Sequence, residues 1–424
     1  MLSHEDNELL TRTGPGTPMG ELLRRYWIPV VESNELEPGG RVKRVQLLGE
    51  RLIAFRGRSG RAGLIGEFCP HRSASLFYGR VEDAGMRCAY HGWKFGLDGQ
   101  CQEMPSEPPE SSFASKVKQT AYPCAEAGGV IFAYMGPEST PPPLPELEWT
   151  LLPDGHTFAS RRVQDCNWFQ ALEGGIDSSH ISFLHAPIDH RNLEVTQDMD
   201  RVSFGVGAAV STGDRAPRFE VVDTDYGVLI GARRANPDGR WYWRVTQFLL
   251  PFYTMIAPRE EHGPIMGHAW VPIDDYRCWN FTFTWNPYAP LALADRDDNE
   301  VHMEVVPDGS YRPRLNRDND YGLDRRVQRE HSCTGIPGIG AQDTAIQESM
   351  GAIVDRENEH LGTGDTAIVA FRRRLLRLAA DYERGVMPAM PEHPEWYRVR
   401  SAGVVLGKDI DFQKGAAQRL TAAT

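Results

Sequence analysis

The sequence has no long apolar run, no regular cysteine framework and no excess of basic charge, and each absence excludes a class of protein. Its longest apolar runs, such as Gly128 to Met135, are far shorter than the roughly 18 residues that a membrane-spanning helix needs. Seven cysteines, an odd number in 424 residues, argue against a disulfide scaffold. The formal net charge of −12 argues against a nucleic acid or an anionic membrane as the binding partner.

Recognisable targeting and dinucleotide-binding signals are also missing. The segment from Met1 to Glu8 has neither a basic nor an apolar stretch, so no signal peptide is expected. Cysteines that stay reduced indicate a cytoplasmic protein and leave thiolates free to bind metal. No Gly-x-Gly-x-x-Gly follows a predicted strand, so we expect no dinucleotide site in this chain.

The residue pattern divides the chain into an N-terminal helical segment at 1–26, a small domain at about 27–145 and a larger domain at 146–424. Thr17 followed by Pro18 is typical of a helix start, because threonine caps the helix and proline fits its first turn. A proline cluster just before residue 146 predicts the linker between the two domains.

Short apolar runs separated by turns predict that the small domain is all-β. Its predicted strands form two hairpins and one further strand: Val45–Leu48 with Leu52–Phe55 around Gly49-Glu50, Trp93–Leu97 with Cys101–Glu103, and Val130–Tyr134. In the larger domain four strands are predicted: Val221–Ile230, Trp241–Leu250, Met266–Val271 and Trp279–Trp285.

Two helical stretches are predicted in the larger domain, an interrupted one at Asn167–His185 and a second from Asp343 to about Arg384. On the second, four residues at steps of three and four share one face: Asp343, Ile346, Met350 and Val354. We therefore predict an α+β fold, in which a small all-β domain is joined to a larger domain. The antiparallel sheet of the larger domain is expected to be flanked by helices in a helix-grip-like arrangement.

Two cysteines and two histidines form the first candidate metal site. Cys69-Pro-His71 is followed, after sixteen residues, by Cys88-Ala-Tyr-His91. This mixed donor set fits a Rieske 2Fe–2S cluster, in which two histidines replace two cysteines on one iron. A structural zinc site is the alternative, but zinc fingers usually present cysteine pairs and histidine pairs separately. The other five cysteines lack such pairing and are interpreted as small buried residues: Cys101, Cys124, Cys166, Cys278 and Cys333.

A second candidate metal site lies in the interrupted helical stretch, where Asp177 is followed by His180 and His185. Five residues apart, the two histidines would lie about 140° apart on a regular helix, so a local break is needed for both to reach one ion. Gly174-Gly175 permits such a break. Two imidazoles and one carboxylate form the facial triad of non-haem Fe(II) oxygenases, which leaves positions open for O₂ and substrate.

The carboxylate of this triad is predicted to be Asp343, at the start of the last long helical stretch. The alternative interpretation of Asp343 is an acid that complements a helix dipole. Glu348 and Asp355, further along the same stretch, are alternative ligands.

In these motifs the chain resembles the Rieske ring-hydroxylating oxygenases, specifically the phthalate dioxygenase-like branch built from α subunits only. The resemblance runs nearly end to end. Besides the two metal motifs it rests on Gly-Pro-Gly-Thr-Pro-Met-Gly, Arg-Arg-Tyr-Trp-Ile-Pro, Gln-Asp-Thr-Ala-Ile-Gln-Glu-Ser-Met-Gly, Asp355-Arg356 and Glu359-His360-Leu361.

The resemblance implies roles for the residues of the second site. By it His180, His185 and Asp343 ligate the mononuclear iron, with O₂ as co-substrate. Asp177 matches the carboxylate that links a Rieske histidine of one subunit to the iron site of its neighbour. Electrons would then cross a subunit interface, which implies a homotrimer or stacked homotrimers. A separate flavin and iron–sulfur reductase is implied as the source of electrons from NADH or NADPH.

The resemblance also favours an aromatic carboxylate as substrate. Arg244, in a strand rich in aromatic residues, is the predicted substrate-binding residue, with a structural ion pair across the sheet as the alternative. Phthalate, with two adjacent carboxylates, would need a second cation; 202–210 offers none, although Arg215 and Arg218 follow. A monocarboxylate, another phthalate isomer, or a methoxy- or phenoxybenzoate fits equally well. The last two would make the reaction an O-demethylation or an ether cleavage.

Two other classes of function fit part of the sequence. An electron-transfer protein would use the Rieske cluster alone, but it would leave the His180 and His185 pair unexplained. A zinc-dependent hydrolase would use the first site as a structural ribbon. Metal analysis separates both from an oxygenase.

Overall fold

The computed structural model describes residues 2–186, 214–258, 262–296 and 301–422 in two compact units. The larger unit comprises Met1–Thr11, Pro145–Val271 and Tyr276–Thr424, and the smaller unit comprises Arg12–Leu144 and Pro272–Asp275. The domain bounds given by the sequence pattern stay a prediction. In the described ranges, no helix has both the length and the apolarity to cross a bilayer.

The smaller unit consists mainly of antiparallel strands. One helix, α2 (Pro18–Leu23), precedes them, and Thr17 caps it by accepting a hydrogen bond from Gly20 N, as predicted. The strands are β1 (Trp27–Glu32), β2 (Lys43–Leu47), β3 (Glu50–Arg56), β4 (Ala62–Gly66), β5 (Arg80–Glu82), β6 (Gly85–Arg87), β7 (Lys94–Gly96), β8 (Cys101–Glu103), β9 (Ala121–Tyr122), β10 (Cys124–Ala127) and β11 (Val130–Tyr134). They form three sheets, ordered β1-β11-β10, β2-β3-β4-β9 and β5-β6-β7-β8.

Both predicted hairpins of the smaller unit are present, as the pairs β2–β3 and β7–β8. The first turn lies one residue earlier than predicted, at Leu48 and Gly49 instead of Gly49 and Glu50. Leu48 and Gly49 have φ angles of 48° and 80°. Positive φ at both central residues is what a two-residue hairpin turn needs, because it matches the twist of the strands.

The larger unit combines one antiparallel sheet with helices. Its strands are β12 (Thr157–Gln164), β13 (Arg218–Thr224), β14 (Gly227–Ala235), β15 (Trp241–Leu249), β16 (Tyr253–Ile256), β17 (Ile265–Asp274), β18 (Arg277–Trp285) and β19 (Ala402–Leu406). The strand order is β12-β18-β17-β16-β15-β14-β13, and β19 also pairs with β15.

The helices of the larger unit are α1 (His4–Thr11), α3 (Glu148–Leu151), α4 (Trp168–Ile176), α5 (Leu293–Arg296), α6 (Arg325–Glu330), α7 (Ile339–Ser349), α8 (Thr366–Glu383) and α9 (Phe412–Leu420). Helices α4 and α8 contact the sheet, and the rings of Phe169 and Phe371, one from each helix, stack 5.1 Å apart. A mainly β unit beside a unit of antiparallel sheet and helices confirms the predicted α+β class.

Two predicted elements of the larger unit are wrong in extent. The predicted strand Val221–Ile230 is two strands, β13 and β14, which pair across a tight turn between Thr224 and Gly227. The predicted helix from Asp343 to Arg384 is two helices, because α7 ends at Ser349 and α8 begins at Thr366.

The single helical face predicted for Asp343, Ile346, Met350 and Val354 is not present, because α7 ends at Ser349 and both Met350 and Val354 lie beyond it. Ile346 is 41% exposed and Met350 is 50% exposed. The buried face instead carries Gly340, Ala341, Thr344, Ala345, Gln347 and Glu348. The buried side of α7 thus combines three small residues with three polar side chains.

Candidate metal centres and active-site pocket

Two similar loops of the smaller unit carry the predicted ligands of the iron–sulfur cluster. In the first, Cys69 N donates to Ala74 O at 2.9 Å, and Cys69 O accepts from Ser73 N at 2.9 Å. In the second, Cys88 N donates to Trp93 O at 2.8 Å, and Cys88 O accepts from Gly92 N at 3.1 Å. Because each loop is closed by the same pair of hydrogen bonds, the two Cys-to-His segments have similar folds.

The donor atoms of these loops fit a metal cluster. The Cys69 and Cys88 side chains are buried, while His71 and His91 are half-buried and their rings lie 4.4 Å apart. Burial raises the pKa of the Cys69 thiol to about 11, and the nearby Cys88 adds to the shift. A positively charged metal centre would offset that cost. His71 Nδ1 is buried and has no hydrogen-bond partner in the described part of the chain.

The second predicted site brings together His180, His185 and Asp343 of the larger unit. One nitrogen or oxygen atom from each residue lies within 4.8 Å of the other two. Asp343 Oδ1 is 3.2 Å from His185 Nε2 and 3.6 Å from His180 Nε2. The helix α4 ends at Ile176 and His180 begins a short 3₁₀ turn, so the predicted break in the helical stretch is present.

The other ring nitrogen of each histidine is held by a neighbour. His185 Nδ1 lies 2.7 Å from Gln342 Oε1, and an amide oxygen can only accept, so Nδ1 donates. His180 Nδ1 lies 3.3 Å from Asp177 Oδ2. Both arrangements leave Nε2 free of a proton and directed at the common centre, as a metal ligand requires. Burial opposes ionisation of Asp343, but His185 and His180 outweigh it and lower the pKa of this carboxyl.

A buried arginine from the sheet fixes the turn that carries His180. Arg234, in β14, donates to Ser178 O at 2.5 Å and contacts the hydroxyls of Ser178 and Ser182 at 3.4 and 3.5 Å. Burial, with a contribution from the nearby Arg244 charge, lowers the pKa of Arg234 to about 10. Because these contacts hold both sides of His180, they limit how far its ring can move.

The carboxyl end of α4 is anchored by a buried ion-pair network. Glu173 accepts hydrogen bonds from Arg356 Nη2 at 2.8 Å and from Arg372 Nε at 2.6 Å. Arg372 also donates to Glu359. A buried charge left without its partner is strongly destabilising. The network therefore holds the helix end from which Asp177 and His180 follow.

A pocket opens beside these three residues. Its apolar lining includes Ile181, Ile256, Met266, Trp270 and Val301. Its charged lining consists of Arg162, Asp177, Arg244 and Asp343. An apolar wall with a few charged groups is typical of a site for a small, partly ionic ligand.

Arg244 is half-buried and lines this pocket. Its cross-strand neighbours are Ala232 of β14 and Gly403 of β19, so no acid faces it across the sheet. Within the described ranges it has no hydrogen bond or ion pair, and the predicted alternative of a structural ion pair finds no support there. Burial lowers the pKa of Arg244, opposed by Tyr242 and Asp177.

Several other predicted candidates lie away from the pocket. Arg215 and Arg218 are exposed and do not line it, and 202–210 lies outside the described residues. Glu348 accepts hydrogen bonds from Asp165 N and Tyr321 Oη, at 2.9 and 2.5 Å, and does not join the metal group.

Asp355 and the remaining cysteines complete the predicted candidates. Asp355 is exposed and accepts from Glu357 N at 3.0 Å. Of the unpaired cysteines, three are buried as predicted: Cys101, Cys166 and Cys278. Cys124 is half-buried and Cys333 is exposed, so the prediction of a buried side chain is wrong for Cys333.

Sequence reasoning missed Arg162, the second cation of the pocket. Arg162, in β12, is 3% exposed, and burial lowers its pKa to about 10. Nearby His268 also lines the pocket, and burial with the Arg162 charge lowers its pKa to about 3. His268 is therefore neutral near pH 7.

Replacing a third buried histidine, His302, is expected to reduce the acid sensitivity of folding. Burial and the Arg162 charge lower the pKa of His302 to about 3, whereas an unfolded histidine titrates near 6.5. Below pH 6.5 the unfolded chain therefore binds a proton that the folded chain does not, and stability present above this pH is lost as the pH falls. For one histidine the loss between pH 7 and pH 5 is about 2 kcal/mol.

Urea unfolding of wild type and His302→Asn at pH 7 and pH 5 measures this difference. The free energy of unfolding of the variant should fall by about 2 kcal/mol less than that of wild type. The exposed His331→Asn is the matched control and should fall as wild type does. Equal losses in wild type and His302→Asn would contradict the prediction.

Comparison with known families matches nearly the whole chain. Residues 26–122 match the family described as Rieske [2Fe-2S] domain, and residues 133–423 match the family described as LigXa C-terminal domain like. Together these two matches cover both candidate metal sites.

Among curated proteins, the chain is 38% identical to the 3-chlorobenzoate-3,4-dioxygenase oxygenase subunit of Comamonas testosteroni, over 98% of each chain. It is also 38% identical to the phthalate 4,5-dioxygenase oxygenase subunit of Pseudomonas putida, over 97% of this chain and 94% of that protein. Among solved structures, the oxygenase in the reduced oxygenase–ferredoxin complex of carbazole 1,9a-dioxygenase has the same fold. Its TM-score is 0.58 at 21% identity, over 92% of this chain and 98% of that chain.

Proposed function

Because this chain belongs to the Rieske-type oxygenase subunits, we propose that it oxygenates an aromatic carboxylate, using O₂ and electrons from a separate protein. It is an oxidoreductase of the aromatic dioxygenase class, with a Rieske [2Fe-2S] cluster and a mononuclear iron as cofactors. An electron-transfer protein that uses the cluster alone is set aside, because the second family match spans residues 133–423.

The proposed ligands divide between the two centres. Cys69, His71, Cys88 and His91 would hold the cluster, and His180, His185 and Asp343 would hold the iron. When bound, the two centres supply single electrons and an Fe(II) with open positions for O₂ and substrate. The protein's own part is to keep both iron-site imidazoles in one tautomer, through Gln342 and Asp177, and to keep the pocket wall apolar.

The observation that carries the substrate class is Arg244, which lines the pocket beside the proposed iron site and has no partner among the described residues. A buried guanidinium without a carboxylate is costly, and a substrate carboxylate would supply the missing partner. The apolar lining, including Trp270 and Ile256, suits the ring of an aromatic acid. Both curated relatives described above are named for an aromatic acid substrate, which supports the same class.

Asp177 and the electron partner belong to the same proposal. Asp177 holds His180 Nδ1 and would be the carboxylate through which electrons arrive from the cluster of a neighbouring subunit, in a trimer or stacked trimers. The similar fold solved in complex with a ferredoxin supports a separate electron-transfer protein. We propose that a flavin and iron–sulfur reductase, oxidising NADH or NADPH, supplies this chain.

Substrate-dependent O₂ uptake with a surrogate reductase tests the function. Benzoate, phthalate isomers, 3-methoxybenzoate and phenoxybenzoate are suitable probes. For the acid that supports uptake, Arg244→Met should raise KM on the order of 100-fold and change kcat little, because the lost charge pair holds substrate and transition state alike.

The matched control for this experiment is Arg233→Met. Arg233 lies on β14, the strand that pairs with the strand of Arg244. Its guanidinium lies 4.6 Å from the centre of the Trp241 ring, and the residue does not line the pocket. The KM of the Arg233→Met variant should stay near that of wild type. Oxygen uptake that responds to none of the acids would contradict the proposed function. Product analysis then separates a cis-diol from the phenol of an O-demethylation or ether cleavage.

A further inference from the structure

One end of the pocket carries polar atoms that neither the proposed iron ligands nor Arg244 engage. Arg162 of β12 and Asn280 of β18 are directly opposite each other in the sheet, and both line the pocket. Arg162 is 3% exposed and Asn280 is 0% exposed. Two polar side chains so deeply buried need hydrogen-bond partners.

The hydrogen bonds of this pair leave two donors unused. Arg162 Nη1 donates to Thr282 Oγ1 at 3.0 Å and to Val301 O at 3.2 Å. Since arginine only donates, the Thr282 hydroxyl donates in turn to Asn280 Oδ1, at 3.2 Å. His268 Nδ1 lies at the same distance, 3.2 Å, from this hydroxyl, and it donates to the hydroxyl oxygen when the hydroxyl proton points to Asn280. Arg162 Nε and Asn280 Nδ2 then have no hydrogen-bond partner in the described part of the chain.

A third orphaned atom, Gln164 Oε1, lies nearby on the same strand. Gln164 lines the pocket and donates through Nε2 to Gln347 Oε1 at 2.5 Å, while its own Oε1 has no partner among the described residues. This oxygen is an acceptor and does not add to the donors. In the described part of the chain, this end of the pocket therefore has two hydrogen-bond donors without a partner, one of them on a positively charged group, and one acceptor without a partner.

The charge of the pocket is also incomplete without a ligand. Arg162 and Arg244 are opposed by Asp177 and Asp343, and the histidines count as neutral. An Fe(II) held at the proposed site would add two positive charges that none of the described lining residues offsets. A substrate with two negative charges would neutralise them, whereas a monocarboxylate would leave one.

The two arginines approach the pocket from different sides. Three strands separate β12 from β15 in the sheet, so their backbones lie roughly 19 Å apart at about 4.8 Å per strand. The Asp343 charge acts to raise the pKa of both guanidinium groups, so both lie near it. The Arg162 charge acts to lower the pKa of His268, whereas the Arg244 charge acts to lower the pKa of His185, so the two arginines have different histidine neighbours. Two adjacent carboxylates on one ring point in similar directions, so we expect them to reach one of the two arginines and not both.

We infer that Arg162 and Asn280 form a second anion subsite, which binds a carboxylate placed meta or para to the carboxylate that Arg244 holds. The inference rests on the proposed function, because it assigns the far end of the same substrate. It makes isophthalate or terephthalate a better ligand than benzoate or ortho-phthalate.

Calorimetric titration of the anaerobic, reduced holoenzyme with benzoate, phthalate, isophthalate and terephthalate tests this subsite. Wild type should bind isophthalate or terephthalate at least about tenfold more tightly than benzoate and phthalate. Arg162→Met and the isosteric Asn280→Asp should each remove that preference while changing the Kd of benzoate no more than about threefold. Asn280→Asp keeps the acceptor for Thr282 and so tests the subsite even if Arg162→Met folds poorly.

Arg161→Met is the matched control. Arg161 is the neighbouring residue on β12 and equally buried, but its guanidinium lies over the Tyr311 ring at 4.0 Å, outside the pocket. The Arg161→Met variant should bind isophthalate or terephthalate more tightly than benzoate, as wild type does. No such preference in wild type, or equal losses for benzoate and dicarboxylates in the variants, would overturn the subsite alone. Failure of wild type to bind any aromatic acid would instead contradict the proposed function.

Discussion

Asp343→Ala is expected to abolish substrate-dependent O₂ consumption while the Rieske EPR signal stays at its wild-type intensity. Asp343 is the only carboxylate of the described residues grouped with His180 and His185. Its loss would leave two neutral ligands for a divalent ion. Replacing a residue that merely orients a metal ligand costs 10–100-fold in affinity or activity, so the loss of a ligand should exceed about a thousandfold.

Metal analysis accompanies the activity measurement for Asp343→Ala. Wild type should contain about three irons and two acid-labile sulfides per chain, as one 2Fe–2S cluster and one mononuclear iron require. The variant should keep both sulfides and lose about one iron. The matched control is Ile346→Ala, on the exposed face of the same helix. Normal turnover of Asp343→Ala would assign the third ligand to another residue, and essential zinc in wild type would contradict the iron assignment.

The second large effect is expected for Asp177→Asn, which should keep both metal centres yet slow single turnover on the order of 100-fold. Asp177 Oδ1 accepts from Ser179 N at 2.6 Å, and its other oxygen faces His180 Nδ1. Burial opposes its ionisation, but His180 outweighs this and lowers the pKa of the Asp177 carboxyl. An amide keeps the size of the side chain and removes the charge that is proposed to link the two centres.

Single-turnover kinetics isolate this step for Asp177→Asn. The pre-reduced enzyme is mixed with substrate and O₂, and oxidation of the Rieske cluster is followed by its absorbance. Asp355→Asn, an exposed carboxylate outside the metal group, serves as the control and should match wild type. Cluster oxidation at the wild-type rate in Asp177→Asn would refute a role in electron delivery.

The parts of the site that sequence could predict are those built from near neighbours in the chain. The Cys-to-His loops are closed by hydrogen bonds within a few residues, so their spacing alone indicates a metal site. The break before His180 follows similarly from local glycines and from the spacing to His185. Asp343 lies far away in sequence, so local spacing could not separate it from Glu348 and Asp355, and the family resemblance added the support that spacing lacked.

The missed residues depend on which face of a strand lies toward the pocket. Arg161 and Arg162 are adjacent and point to opposite sides of β12, and the period of two does not tell which side is the pocket. Arg233 and Arg234 are likewise adjacent in sequence, so they point to opposite sides of β14. The single strand predicted at 221–230 failed for a different reason, because it runs through the polar turn residues Asp223 to Gly227, which separate β13 from β14.

The exposed thiol of Cys333 allows the protein to be labelled chemically at a single site. Five of the seven cysteines are buried and one is half-buried, so a bulky maleimide reagent meets one accessible sulfur. The backbone of this residue donates from its N–H to Ala186 O at 3.2 Å, and Ala186 directly follows His185. A fluorophore attached there would sit beside the segment that carries His185, a proposed iron ligand, and Cys333 is not among the residues that line the pocket. Its emission could then report ligand binding in real time, without any substitution in the active site.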